Sequence, residues 1–101
     1  MIVIRSCSGF EELEACVQLE IETWGYDPTD VLPRKAFLLS QKIGGQVIGA
    51  FDSEIAGTSP ERGPESLVGF ALAWPGVKSS QQGPKAYLHS HMLAVRDGIE
   101  A

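Results

Sequence analysis

The hydrophobic pattern of this chain changes its period near the middle, at the glycine pair Gly44 and Gly45. Before the pair, apolar residues recur every three or four positions, which is the period of amphipathic helices. After it, β-prone apolar runs alternate with segments rich in Gly, Ser and Pro. A helical half followed by a strand-rich half predicts an α+β fold.

The first half predicts one strand and one long helix. Residues 2–5 form a short run that is mostly β-branched, which favours a first strand. Ser8 and Glu11 have the S-x-x-E spacing of a capping box, so the first helix is expected to begin there and to end at Gly25. Apolar residues recur along it with the helical period, namely Phe10, Leu13, Val17, Ile21 and Trp24.

A second helix is predicted to follow directly. Asp30 and Pro33 mark its start, because proline is tolerated in the first turn of a helix. Lys42 and the glycine pair mark its end. Its predicted apolar stripe consists of Leu32, Ala36, Leu39 and Ile43.

Three further strands are predicted from apolar runs at residues 46–52, 67–74 and 86–95. The segments between them, residues 53–66 and 75–85, are predicted to be surface loops. The resulting order is β-α-α-β-β-β, in a mostly antiparallel sheet with the helices packed on it. With 101 residues and 44% hydrophobic content, the chain is expected to form a single domain, residues 1–101.

Charge and composition exclude several classes of partner. Thirteen acidic against eight basic residues give a net charge of −5, which disfavours nucleic acid and anionic membrane surfaces. No apolar run approaches the roughly 20 residues of a membrane span, so a cytoplasmic protein is expected. Cys7 and Cys16 belong to no closely spaced metal-binding cluster and are expected to be ordinary buried thiols.

The clearest chemical signal is His89-x-His91 in the last predicted strand. A period of two places both imidazoles on one face of the strand, together with Tyr87, Leu93 and Val95. Two such histidines could relay a proton near neutral pH, or be hydrogen-bonded core or rim residues. A metal site needs a third ligand, and Glu100 lies at no recognised spacing from the pair, so no metal is expected.

Other residues leave two interpretations open. Glutamates of the first helix could attract a cationic substrate, but charged positions on a helix usually form its solvated face. Trp24, Tyr26 and Phe37 could line a substrate pocket, although aromatic residues at helical spacing are more often core. Cys16 has no activating histidine near it in sequence and is not expected to be a nucleophile.

The order of elements and several short sequence words resemble the GNAT superfamily of acyl-CoA-dependent N-acyltransferases. The resemblance extends over nearly the whole chain. The words that carry it are IR at 4–5, FEEL at 10–13, QVIGAF at 46–51, LVGFA at 67–71 and HMLAV at 91–95.

The resemblance implies an acetyltransferase that uses acetyl-CoA as co-substrate and a small-molecule or peptide amine as acceptor. Transfer in this family takes place directly in a ternary complex, without an acyl-enzyme. The main chain of the fourth strand would bind the pantetheine arm, at Leu93, Ala94 and Val95. His89 and His91 occupy positions where some members place a proton route, which makes them the candidate catalytic residues.

One departure from the family is equally informative. Family members continue after the fourth strand with a glycine-rich loop that opens a helix and holds the pyrophosphate. Residues 96–101 contain a single glycine beside acidic residues and do not match that loop. A truncated or split domain with impaired activity is therefore expected, and the edge of its fourth strand is expected to favour self-association. The alternative is a non-catalytic interaction module that associates through the same edge.

Overall fold

A computed structural model describes residues 1–25, 27, 30–52, 54 and 64–96 of the chain. The predicted order of helices and strands is confirmed, with one 3₁₀ turn added at Pro64–Ser66. The fold is α+β, with two helices and a four-stranded antiparallel sheet. Its elements are β1 (Ile2–Ser6), α1 (Gly9–Trp24), α2 (Arg34–Lys42), β2 (Gln46–Asp52), β3 (Leu67–Lys78) and β4 (Lys85–Val95).

The strands follow one another across the sheet in the order β1-β2-β3-β4, and every neighbouring pair is antiparallel. Both helices pack on one face of this sheet and contact each other. The core lies between the helices and that face, where apolar side chains are almost completely buried. The largest of them are Leu13 and Leu19 of α1, Phe37 of α2, Phe51 of β2, and Leu67 and Leu72 of β3.

The opposite face of the sheet is mostly apolar, and no helix of the described residues packs on it. We call this surface, which strand alternation defines, the open face. Its apolar members are Ile2 and Ile4 of β1, Ile48 and Ala50 of β2, Gly69, Ala71, Ala73, Pro75 and Val77 of β3, and Ala86, Leu88, Leu93 and Val95 of β4, and its polar members are Ser6, Gln46, Asp52 and Ser90.

Helix α1 begins and ends where predicted, with Ser8 at the N-cap position, but its first turn is capped differently. Gly25 adopts a left-handed conformation with φ 66°, and its N–H donates to the carbonyl of Ile21 at 2.7 Å. The capping box predicted from Ser8 and Glu11 does not form, because the Ser8 side chain makes no capping bond. Instead the Ser8 N–H donates to the carboxylate of Glu12 at 2.8 Å.

The predicted apolar stripe of α2 is wrong. The helix buries Phe37 and Ser40, whereas Leu39 and Ile43 are more than half exposed. The Phe37 ring meets Phe70 of β3 edge to face at 5.5 Å, and this large aromatic contact sets the rotation of the helix. The start predicted at Asp30 is about one turn too early, since α2 begins at Arg34, directly after Pro33.

The loop predicted at residues 75–85 is also wrong for most of its length. Strand β3 continues through Lys78 and β4 begins at Lys85, so the two form a long hairpin. The turn is closed by reciprocal main-chain bonds between Ser80 and Gly83, at 3.1 and 3.0 Å. Pairing with β4 overrides the turn signal of Pro75, in a part of β3 that lies beyond its last partner in β2.

Most of the loop predicted at residues 53–66 lies outside the described residues. Of the two described helices, neither is both long enough and apolar enough to cross a membrane.

Candidate functional site

Strand β4 forms one end of the sheet, and within the described residues no strand pairs with its outer edge. Leu93, Ala94 and Val95 all lie in it, next to β3. The main-chain N–H of Arg96 donates to the carbonyl of Val68 in β3 at 2.7 Å. Because hydrogen-bonding direction alternates along a strand, Ala94 also faces β3, and the main-chain groups of Leu93 and Val95 face the outer edge.

The side chains of these three residues divide between the two faces of the sheet. Ala94 is buried in the core beside Phe70. Leu93 is 67% exposed and Val95 is 42% exposed, and both border a shallow apolar groove of about 280 Å³ on the open face. The outer edge of β4 therefore combines free main-chain groups with an adjoining apolar surface.

The histidines precede Leu93 in β4 and lie where the pairing with β3 is irregular. Leu72 pairs with Met92 whereas Ala73 pairs with Ser90, so His91 is the extra residue of a β-bulge. The His91 ring stacks on the indole of Trp74 with centroids 4.0 Å apart and an interplanar angle of 18°. The His89 and His91 rings are 6.1 Å apart, and both side chains are exposed.

The bulge overturns the prediction that the histidines share a face with Leu93 and Val95. His91 lies with Trp74 on the side of the sheet that carries the helices, whereas Leu93 and Val95 lie on the open face. One extra residue in a strand reverses the alternation beyond it. The imidazoles and the apolar groove are thus adjacent along β4 but lie on opposite faces.

Trp74 holds the histidine side of the site to α2. Its indole N–H donates to the Ser40 hydroxyl at 2.6 Å, and that hydroxyl donates to the carbonyl of Ala36 at 2.8 Å. Sequence reasoning missed both Trp74 and Ser40 as parts of this site. The available signal was Ser40 itself, a polar residue four positions after Ala36 on the predicted apolar stripe of α2.

A further aromatic side chain extends the same side of the hairpin. Tyr87 covers Gly76 of β3, where an added Cβ would come within 2.6 Å of the tyrosine ring. The ammonium group of Lys78 lies 5.6 Å from the centroid of that ring. Tyr87, His89 and His91 therefore form an exposed row of rings along β4, with Trp74 beside them.

The glutamates of α1 do not all form a solvated face. Arg5 of β1 donates two hydrogen bonds to the Glu12 carboxylate, at 2.8 and 2.7 Å, and Glu12 is only 5% exposed. Burial raises the pKa of Glu12, but the bonds from Arg5 and from the Ser8 N–H outweigh it and leave the pKa below 4.5. The prediction of a solvated Glu12 is wrong, because its charge is paired inside the fold.

Glu20 is completely buried on the same helix. One carboxylate oxygen accepts the N–H of Leu32 at 2.8 Å, and the other has no partner among the described residues. Burial raises the pKa of Glu20, and the Leu32 bond only partly offsets this. Ionisation of this carboxyl group therefore destabilises the folded state.

Two other glutamates of α1, Glu11 and Glu14, line a polar groove of about 320 Å³. Glu65 of the 3₁₀ turn and Arg96 also border it. Arg96 also pairs with Glu22 at 2.8 Å, so a cation of the chain already balances part of this negative charge.

The other sequence candidates are structural. Phe37 is buried in the core, Trp24 is 40% exposed at the end of α1, and Tyr26 lies outside the described residues. Cys7 and Cys16 are confirmed as buried free thiols, with sulfur atoms 3.9 Å apart. The hydrogen bond between them and burial raise the pKa of Cys16, which makes it a poor nucleophile.

In the part of the chain that the structure describes, no three His, Cys, Asp or Glu side chains come together so that they could hold a metal ion. Comparisons with protein-family models, curated proteins and solved structures give no match for this chain. The geometry of β4 and its surroundings is therefore the basis for assigning a function.

Proposed function

We propose that this chain is an N-acetyltransferase-like domain in which the outer edge of β4 binds the pantetheine arm of acetyl-CoA. The observation that supports the proposal is the outer edge of β4 at Leu93 and Val95, which no strand of the described residues pairs with. Leu93 lies two residues from His91. The sequence resemblance supplies the reaction class, and the edge supplies a physical means of binding the acyl carrier.

An extended pantetheine arm carries amide groups that can pair with a strand edge as an added strand would. The N–H and C=O groups of Leu93 and Val95 face outward and are suited to this pairing. A main-chain N–H directed at the thioester carbonyl would also stabilise negative charge on its oxygen during attack. The apolar side chains of the same residues would exclude water from one side of the arm.

The proposed reaction is direct acyl transfer to an amine. The amine nitrogen attacks the thioester carbonyl carbon, the carbon–sulfur bond breaks, and the thiolate of coenzyme A leaves and takes up a proton. His91 or His89 accepts the proton that the ammonium form of the acceptor must lose before attack. With rings 6.1 Å apart, a single water molecule could bridge them and pass the proton to solvent.

The described residues fit the pantetheine part of the cofactor better than its charged end. Arg96 follows β4 directly, but its guanidinium is paired with Glu22. We therefore expect millimolar affinity for acetyl-CoA and a similar affinity for acetyl-pantetheine, which lacks the nucleotide.

Binding is tested by titrating the ¹⁵N-labelled chain with acetyl-pantetheine and following its amide resonances. We expect the amides of Leu93 and Val95 to shift most, and those at the α1 groove that contains Glu11 and Glu14 to remain unchanged. The absence of shifts in β4 at millimolar ligand, or shifts confined to the α1 groove, would contradict the proposal.

The Val95→Pro variant sharpens this experiment. It removes an outward N–H without breaking a bond to β3, and proline is tolerated on edge strands. Binding should weaken several-fold while the sheet stays folded. An unchanged titration would show that the edge is not the binding element.

A second candidate is a non-catalytic module that pairs with another chain through the edge of β4. The same unpaired edge favours it, because exposed strand edges readily accept another strand. This candidate predicts that Val95→Pro abolishes association with the partner, and it predicts no response to acetyl-pantetheine.

A further inference from the structure

The open face lacks the polar character of a sheet surface that meets solvent. Antiparallel sheets with one solvated face alternate apolar and polar residues, whereas most outward positions of these strands are apolar too. The polar exceptions are Ser6, Gln46, Asp52 and Ser90. Seven large apolar side chains of the strands are exposed, and all except Tyr87 occupy outward positions on this side. These six are Ile2, Ile4, Val77, Leu88, Leu93 and Val95.

Charge is almost absent from this face. The strands contain four charged residues, and Arg5, Lys78 and Lys85 are directed to the side that carries the helices. Asp52 alone is at an outward position, at the corner of the sheet, where it lies 3.7 Å from the amino group of Met1. A surface whose charge is confined to one corner can face an identical surface with little like-charge repulsion.

The area is sufficient for a dimer. The strands contain 5, 7, 12 and 11 residues. With a rise of about 3.3 Å per residue and a strand spacing of about 4.8 Å, they present a flat face of about 550 Å². Two such faces exceed the roughly 1,000 Å² that a specific interface needs, even before the relief of the side chains is counted.

The width of the open face favours a second sheet over a single helix as the element that covers it. Four strands extend over about 19 Å, whereas one helix with its side chains is about 10 to 12 Å across. A helix would leave about half of the exposed apolar side chains in water, on the same strand and helix dimensions. We propose that a second copy of this chain packs its open face against the first and forms a two-sheet sandwich with twofold symmetry.

The test uses sedimentation velocity at micromolar concentrations with three variants. Ile4→Lys and Leu93→Lys each place a charge in the face, at side chains 65% and 67% exposed, so folding should not suffer. Leu39→Lys makes the same change on α2, where the side chain is 56% exposed, and serves as the control. Circular dichroism verifies that each variant is folded.

The wild type and Leu39→Lys should sediment as dimers, and the two face variants should dissociate at least tenfold more readily. Ile4 is the decisive position, because β1 is three strands away from the edge of β4. An Ile4→Lys variant that stays dimeric would assign association to the β4 edge and overturn the proposal. A monomeric wild type would overturn it too, and would leave a foreign partner as the occupant of the face.

Discussion

Replacing Arg5 with methionine should destabilise the fold strongly, because it removes the partner of a buried carboxylate. Methionine keeps the length of the side chain and its contact with the Phe51 ring, which the guanidinium carbon covers at 3.9 Å. Glu12 would then keep one described donor, the Ser8 N–H. Its charge would be buried without a counter-ion.

The expected loss is about 3 kcal/mol in the free energy of unfolding. Removing one partner of a buried ion pair typically costs about 3 to 5 kcal/mol. The lower end applies because the Arg5 side chain is 25% exposed and because the Ser8 bond remains. A domain of this size has about 5 to 15 kcal/mol in total, so the effect should be easy to measure.

The pH dependence gives a second reading of the same contact. The pKa of Glu12 is lower in the folded state than in the unfolded chain. The stabilisation that its ionised carboxylate provides is therefore fully present above about pH 4.5, and it is lost as the pH falls through the folded pKa. In Arg5→Met the same carboxylate is penalised while ionised and is relieved by protonation. The difference in free energy of unfolding between the wild type and Arg5→Met should therefore become smaller as the pH is lowered.

Urea denaturation followed by circular dichroism, at one protein concentration and at several pH values, measures both effects. Arg34→Met is the matched control, since Arg34 pairs with Glu14 at 3.9 Å where both side chains are about 45% exposed. That exposed pair should contribute less than about 1 kcal/mol. An Arg5→Met variant within about 0.5 kcal/mol of wild type would refute the buried ion pair.

Three further changes test other contacts. Glu20→Gln should stabilise the fold increasingly as the pH rises above about 4.5, because the raised folded pKa of Glu20 makes its ionisation costly. Urea titrations at several pH values measure this effect. A difference in unfolding free energy from wild type that does not change with pH would contradict it. Gly49→Ala should cost about 1 to 3 kcal/mol in urea unfolding, since its Cβ would lie 2.6 Å from the Phe51 ring; a neutral effect would mean that the ring moves freely. Trp74→Phe should cost about 1 kcal/mol through the lost bond to Ser40 and should shift the His91 ring resonances; unchanged resonances would argue against the stacking.

The sequence predicted the elements whose signals are local. Helix α1 and its end at Gly25 follow from residues close together in the chain, and both are confirmed. Its predicted apolar stripe is wrong at both ends, where Phe10 is 55% and Trp24 40% exposed. The strand containing Leu93 to Val95 was also identified, because a β-prone apolar run needs no knowledge of its partner. The end position of this strand in the sheet depends on pairing, which the structure supplies.

The predictions that were wrong concern features that depend on contacts between residues distant in the chain. The bulge at His91 results from the register between β3 and β4, which no local pattern encodes. The burial of Glu12 depends on Arg5, seven residues away on another element. Extension of the hairpin through Pro75 follows from pairing that overrides a turn signal. Tertiary context thus decided the faces of the candidate site, although its strand was visible from sequence.

The most direct test of the central claim is to locate an acyl thioester on the protein by intermolecular nuclear Overhauser effects. The ligand is acetyl-pantetheine, and the protein amides are observed in the wild-type chain. Contacts from the pantetheine arm to the amide protons of Leu93 and Val95 are expected, with the acetyl methyl nearest the histidine end of β4. Contacts to the helices alone, or to β1 at the far side of the sheet, would contradict the assignment of β4 as the acyl-binding strand.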